Sequence, residues 1–320
     1  MEISSLLEAV GIPGRPVVTR STSGDSGARV RVVELDGEHL LVVKTVREDR
    51  GASRRDRLPA GGSTRIHEEA AGLSLIAATE TVPVPEILAC GVLGGTGILV
   101  LEHLPVAKDS AVDDAAWMQL GRGLADLHLS PPPACPARFG LDHDNHLGGT
   151  SQDNRPEAEW HDFLMKRRLR PMVDRLQADR LLEEEEKSGL DRLADAIPDL
   201  LPANIRPGLV HGDLWSGNAL VTKDRGVAVI DPAVVIADPL FEIGMMRLFG
   251  GFPRVCEESL LARLGEVGGP AMLEGAEARI EIGRINHLLN HWLLFGREYA
   301  AATMRACLLY TSDAADEVVS

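Results

Sequence analysis

LVHGDLWSGNAL, residues 209–220, sets an aspartate two positions after a histidine (His211, Asp213) and an asparagine five positions after that aspartate (Asn218). This is the spacing of a phosphoryl-transfer catalytic loop, in which the carboxylate takes the proton of an attacking hydroxyl and the amide oxygen, a hard neutral ligand, helps to hold Mg2+. Two tasks require two different side chains. A His-Gly-Asp triplet by itself is weak evidence, since it also forms polar turns in which the aspartate caps a helix. The following residues make it specific. ALVT-KDRG-VAVI reads as a hairpin turning on 223–226, which pairs position 218 with position 231 and sets Asp231 beside Asn218. Asp213 is therefore the candidate catalytic carboxylate, and Asn218 and Asp231 are the candidate Mg2+ ligands.

Toward the N-terminus, VVTRSTSGDSGARVRVVELDGEHLLVVKTV, residues 17–46, alternates apolar and polar positions around turn signals near Gly24 and at Asp36-Gly37, predicting three antiparallel strands. Lys44 ends the last of them, where a phosphate-anchoring lysine belongs. An arginine-rich stretch with Gly, Pro and Ser, residues 47–65, has no hydrophobic periodicity and reads as a solvated connector. Ile66, Ala70, Leu73 and Ala77 then recur at helical spacing. That helix offers two neighbouring carboxylates to Lys44, and Glu69 is preferred over Glu68, although sequence does not fix the helix rotation. Gly24 and Gly27 either let backbone amides approach phosphates or serve only the turn.

VPVPEIL and GILVLEHLP carry the chain in extended form to Pro105, and the remainder is mostly helical. A helix over 110–129 places Trp117, Leu120, Leu124 and Leu127 on one face, with Ser110 as cap; further helices are expected around 157–169, 171–200, 238–249, 254–267 and 271–296. The run of four glutamates at 183–186 reads as a solvated face, because consecutive helical residues fan out. His287 and His291 stand four apart on a helix but lack the glutamate of a zinc-protease motif, so packing or a cleft-facing helix side is expected. Residues 307–320 contain CLLYTSDAADE, which resembles translated adapter sequence and is set aside as a non-native tail. The expected organisation is an N-terminal nucleotide-binding lobe, 1–104, and a C-terminal catalytic and acceptor lobe, 105–306.

Composition narrows the function classes. With 33 Lys+Arg against 48 Asp+Glu the chain carries a formal charge of −15, which argues against a nucleic-acid surface. Four dispersed cysteines give neither a disulfide framework nor a zinc ribbon, and no run of about 18 apolar residues occurs. A cytoplasmic protein without membrane or nucleic-acid partners is the expectation.

These residues resemble the fructosamine kinase, or ketosamine kinase, family within the protein-kinase-like superfamily that includes aminoglycoside phosphotransferases. The resemblance extends through FGLDHDNHLGGTSQDN (139–154), WHDFLMKRRLRP (160–171), VIDPAV (229–234), MMRLFGGF (245–252) and INHLLNHWLLFG (285–296). It implies an α+β fold of two lobes: an antiparallel sheet lobe with one main helix, and a larger helical lobe. It further implies transfer of the γ-phosphoryl of ATP, with Mg2+, to the 3-hydroxyl of a ketosamine. The acceptor would be a sugar adduct of a free amine or protein lysine, and the phosphorylated adduct would eliminate phosphate and release the amine. On this resemblance Glu102 and Leu104 mark the backbone that holds adenine, and Trp215 contacts the sugar, an indole being suited to an apolar sugar face. The loop SGDSGA departs from the family in its sparse glycines and in Ser26 where some members carry cysteine, and Glu242 stands where aspartate is more usual. An antibiotic phosphotransferase would share the core residues and differ in the acceptor pocket. A nucleotide-binding pseudokinase is the alternative from outside enzymes.

Overall fold

The computed structural model describes residues 2–23, 28–37, 39–47, 65–107, 113–131 and 138–308. Gly24, Gly27, Ser26, Ser110 and residues 309–320 lie outside these.

The N-terminal sheet contains β1 (Pro16–Ser23), β2 (Arg29–Leu35), β3 (His39–Arg47), β4 (Ile87–Leu93) and β5 (Thr96–Glu102) in the order β1-β2-β3-β5-β4, with every pairing antiparallel. Strand alternation sorts the side chains onto two covered faces. Leu41 and Val43 of β3, with Ile98 and Val100 of β5, pack against Leu6 and Leu7 of α1 (Ile3–Ala9). Val42 and Val46, with Leu99 and Leu101, pack against Ile66 and Leu73 of α2 (Arg65–Ala77). Lys44 falls between Val42 and Val46 on the α2 face, so the period of two brings it toward that helix. The first helix was not anticipated. Its signal is short: Ile3, Leu6, Leu7 and Val10 at helical spacing, enough to close the second face of the sheet.

The helical lobe has two cores. Around one lie α3 (Asp114–Leu129), α7 (Phe241–Leu248) and α8 (Arg254–Gly268), with Trp117, Leu120, Leu124 and Leu127 all buried. The other joins α4 (Trp160–Phe163), a π-helical segment (Leu164–Leu169), α5 (Arg170–Ala178), α6 (Glu184–Leu200), α9 (Ala276–Phe295) and α10 (Ala300–Leu308) around Trp292 and Phe163. Among the described residues Asp113 caps α3, accepting from Ala115 N–H at 3.3 Å. The single helix expected over 171–200 is broken at Arg180 (φ 59°), and the glutamate run begins its second half: Glu183 and Glu186 form a capping box. α10 extends through Leu308, and Cys307, within the stretch set aside as foreign, is buried in this core. None of the described helices is long and apolar enough to cross a membrane.

Where α3 crosses α8 the contact is backbone to backbone. A Cβ at Gly121 would stand 2.1 Å from the Cys256 carbonyl oxygen. Gly121→Ala must separate the two helices, and a loss of roughly 1–3 kcal/mol is expected in urea unfolding.

Short strand pairs shape the cleft. The hairpin β6 (Asn145–Leu147) and β7 (Thr150–Gln152) leans on α2; β8 (Gly208–Val210) pairs with β11 (Val235–Ala237), and β9 (Ala219–Val221) with β10 (Val227–Val229).

Candidate active site

β8 delivers His211-Gly212-Asp213 into the cleft. Gly212 has φ +82°, and its Cα lies so close to the backbone of Ala233 that a Cβ would meet that carbonyl oxygen at 2.1 Å. His211 is fully buried, and burial pushes its ring down to about 4, so it is neutral at pH 7. The hydrogen-bond network assigns its proton to Nε2, which donates to Ile230 O at 2.9 Å, while Nδ1 accepts the Asp213 N–H at 3.3 Å. His211 is thus a scaffold for the loop.

Glu242, at the start of α7, is the loop's second anchor. Its Oε2 accepts the His211 N–H at 2.5 Å and its Oε1 the Gly212 N–H at 3.0 Å. Complete burial pushes its carboxyl up to about 7 against the pull of those two N–H groups, and the Asp213 charge adds to the rise. Sequence marked Glu242 only as a departure; its work becomes visible once α7 is seen packed under the loop.

The β9–β10 hairpin corrects the expected register. Val221 faces Val227 and Ala219 faces Val229, so Asn218 stands opposite Ile230, whose N–H donates to Asn218 O at 3.0 Å. A turn on 223–226 would have paired 218 with 231. Instead three residues, 223–225, lie between the paired Thr222 and Gly226, an odd loop in place of an even one, and Gly226 takes φ +72°. Asp231 is brought into the cleft by its own left-handed backbone, φ 56°. It forms an ion pair with Lys44 Nζ, which also lies 2.8 Å from Glu69 Oε1. Glu69, rather than Glu68, is therefore the carboxylate that meets Lys44.

Desolvation alone would lower Lys44, but Glu69 and Asp231 together hold its ammonium above the usual value. Burial drives Glu69 upward; the attraction of Lys44 opposes the rise and Asp231 adds to it. Two carboxylates share one ammonium, leaving an excess negative charge that a divalent cation would relieve. Asn218 is buried and donates Nδ2 to Asp213 O at 2.8 Å, which commits its amide nitrogen and leaves the oxygen end as the candidate ligand. A carboxylate and an amide oxygen are a hard donor set that fits Mg2+.

Two cavities meet at Asp213. One, of about 320 Å3, is lined by Lys44, Glu69, Asn218 and Asp231 together with Val30 and Val46 of the sheet. The second, of about 490 Å3, is bounded by Phe249, His291, Leu294, Phe295 and Tyr299. Asp213 and Trp215 line both. The Trp215 indole stands edge-on to Phe249 with ring centres 6.2 Å apart. His291 faces this second cavity, 5.0 Å from the Phe249 ring, whereas His287 is buried beside Phe241 and held neutral, at about 3, by burial, with His291 and Arg168 adding to the fall. No cluster of metal-ligating side chains involves either among the described residues.

Glu102 and Leu104 stand apart from this assembly. The Glu102 carboxylate pairs with Arg225 and its N–H donates to Glu86 O at 2.9 Å, while Leu104 is buried; neither lines the smaller cavity.

The sequence profile described as Fructosamine kinase matches residues 61–309. The chain is 31% identical to the Synechocystis protein named "Probable ketoamine kinase" over 75% of this chain and 77% of that one. It is 29% identical to the Ketosamine-3-kinase of Mus musculus, covering 74% and 80% respectively. The crystal structure of a Thermobifida fusca protein assigned as a fructosamine-3-kinase superposes with TM-score 0.77 at 25% identity over 96% of this chain and 97% of the other. The aminoglycoside phosphotransferase APH(4)-Ia shares the fold, with TM-score 0.59 at 16% identity over 97% and 98%. With its two lobes closing on one aspartate and a profile match spanning most of its length, the chain belongs to the fructosamine kinase family and is a phosphotransferase.

Proposed function

We propose that the chain transfers the γ-phosphoryl group of ATP to the 3-hydroxyl of a ketosamine, the sugar adduct of a free amine or of a lysine. The observation that carries this is Asp213 standing on the boundary between a phosphate-suited cavity and an aromatic one. ATP would occupy the first, with Lys44 on phosphate oxygens and Glu69 aiming Lys44. Asn218 and Asp231 would hold Mg2+, which when bound neutralises phosphate charge. Asp213 orients the acceptor hydroxyl and accepts its proton as the oxygen attacks phosphorus. The carbons of the sugar would lie against Trp215 and its aromatic neighbours. Glu102 and Leu104 remain candidates for backbone contacts to adenine.

The aromatic cavity favours this reading over an antibiotic acceptor. Among the described residues lining it Asp213 is the sole carboxylate, whereas a polycationic drug calls for several. All five core residues, Lys44, Glu69, Asp213, Asn218 and Asp231, lie about one cleft, which favours turnover over nucleotide sensing.

Purified protein with Mg-ATP, offered ribulosyl-lysine, fructosyl-lysine and an aminoglycoside in parallel, is expected to phosphorylate a ketosamine, followed by 31P NMR, and then release free lysine. Turnover of the drug alone would replace this proposal with the antibiotic reading. Trp215→Ala should raise KM for the ketosamine up to about tenfold, the worth of one aromatic contact, with KM for ATP little changed.

A further inference from the structure

The lining of the smaller cavity includes a contact between the lobes that phosphoryl transfer does not itself require. Glu68 Oε2 of α2 lies 2.8 Å from His146 Nδ1 of β6, and the two side chains are 7% and 13% exposed. Both line the cavity that holds Lys44 and Asp231. A carboxylate so buried, in a cavity suited to triphosphate, is strongly disfavoured without a donor, and His146 supplies one.

Neighbouring residues on a helix point about 100° apart. One rotation of α2 therefore aims Glu69 at Lys44 in its own lobe and Glu68 at His146 in the other. Further contacts lie along the same stripe, at the helical spacing of 65, 68 and 72. Arg65 Nη2 makes a long contact, 3.5 Å, to Gly149 O. At Gly72 a Cβ would lie 3.1 Å from the ring of Pro232, the residue after Asp231. Sliding or turning α2 would break this stripe and the Glu69–Lys44 pair together.

We infer that Glu68 and His146 form a clasp between the lobes that fixes the rotation of α2 and so sets the affinity for Mg-ATP. The inference rests on reading the cavity as the nucleotide site. Neither residue touches reacting atoms; both are positioning residues.

The test uses the full chain and replacements that fill the space: Glu68→Met, His146→Leu, the two combined, and His146→Gln, whose amide can still donate to Glu68. Mg-ATP binding is measured by calorimetry without acceptor, and unfolding midpoints are recorded alongside. Each single apolar variant is expected to weaken binding about tenfold, the double variant no more than the weaker single, and His146→Gln to stay within about threefold of the parent. KM for the acceptor should remain within about twofold. Apolar variants that melt earlier yet bind Mg-ATP as the parent does would overturn the clasp, as would losses that simply add in the double variant. A parent chain that binds no Mg-ATP overturns the clasp together with the nucleotide site. One that binds it but phosphorylates no ketosamine overturns the proposed acceptor and leaves the clasp standing.

Discussion

Asp213→Asn should lower kcat by about 10²–10⁴, the usual contribution of a positioned general base, while Mg-ATP still binds. The substitution is nearly isosteric, and the loop's own supports do not depend on the carboxylate. His211 Nδ1 receives the backbone N–H of residue 213, and Asn218 Nδ2 donates to its backbone oxygen. The loop should therefore hold its shape, and the loss should fall on kcat more than on either KM. Single-turnover phosphorylation of fructosyl-lysine, with Mg-ATP binding measured beside it, separates the outcomes. A kcat within a few-fold of the parent would remove Asp213 from proton transfer, and lost nucleotide binding would show that the substitution had damaged the cleft.

Much of this site can be read from the chain because kinase-like loops compress several duties into a few fixed spacings. Lys44 closes the apolar run LLVVK, and the order His211, Asp213, Asn218 is strictly local, so neither needs the packed fold to be found. Matters decided by rotation or by a loop's left-handed residue were less legible. Glu68 and Glu69 are adjacent, and only the packed position of α2 assigns one to Lys44 and the other to His146. The count 218 with 231 assumes an even turn, and an odd loop of three residues before Gly226 shifts the ladder by one. The break at Arg180 carries neither Gly nor Pro, so 171–200 reads as continuous; the glutamates at 183–186 were the available sign of a new helix start.

The pH dependence of Glu242 gives the second large effect. Its carboxyl is raised to about 7 in the fold against 4.5 without it, so between those values the folded chain holds a proton that the unfolded chain has released. Stability linked to this group is then fully present below about pH 4.5 and is lost as pH rises through about 7. A shift of this size corresponds to about 3 kcal/mol at a fully buried site. His128, His211 and His287, pushed down to about 4, 4 and 3 by burial, act in the opposite direction, raising stability as pH climbs toward 6.5. The parent's profile alone therefore mixes the two. Glu242→Gln keeps the histidines and removes the carboxyl, so the difference between parent and variant isolates it. Urea unfolding at pH 5 and pH 8 should show the variant gaining about 2.5 kcal/mol on the parent across that interval. A difference that stays flat would mean that Glu242 is ionised throughout. Activity should move the other way. An amide offers one oxygen where the carboxylate accepts two N–H groups, so either His211 or Gly212 loses its acceptor in the loop that carries Asp213. The variant should thus be relatively more stable at pH 8 and yet slower, because the same buried charge that weakens the fold there holds the loop that carries Asp213 in place.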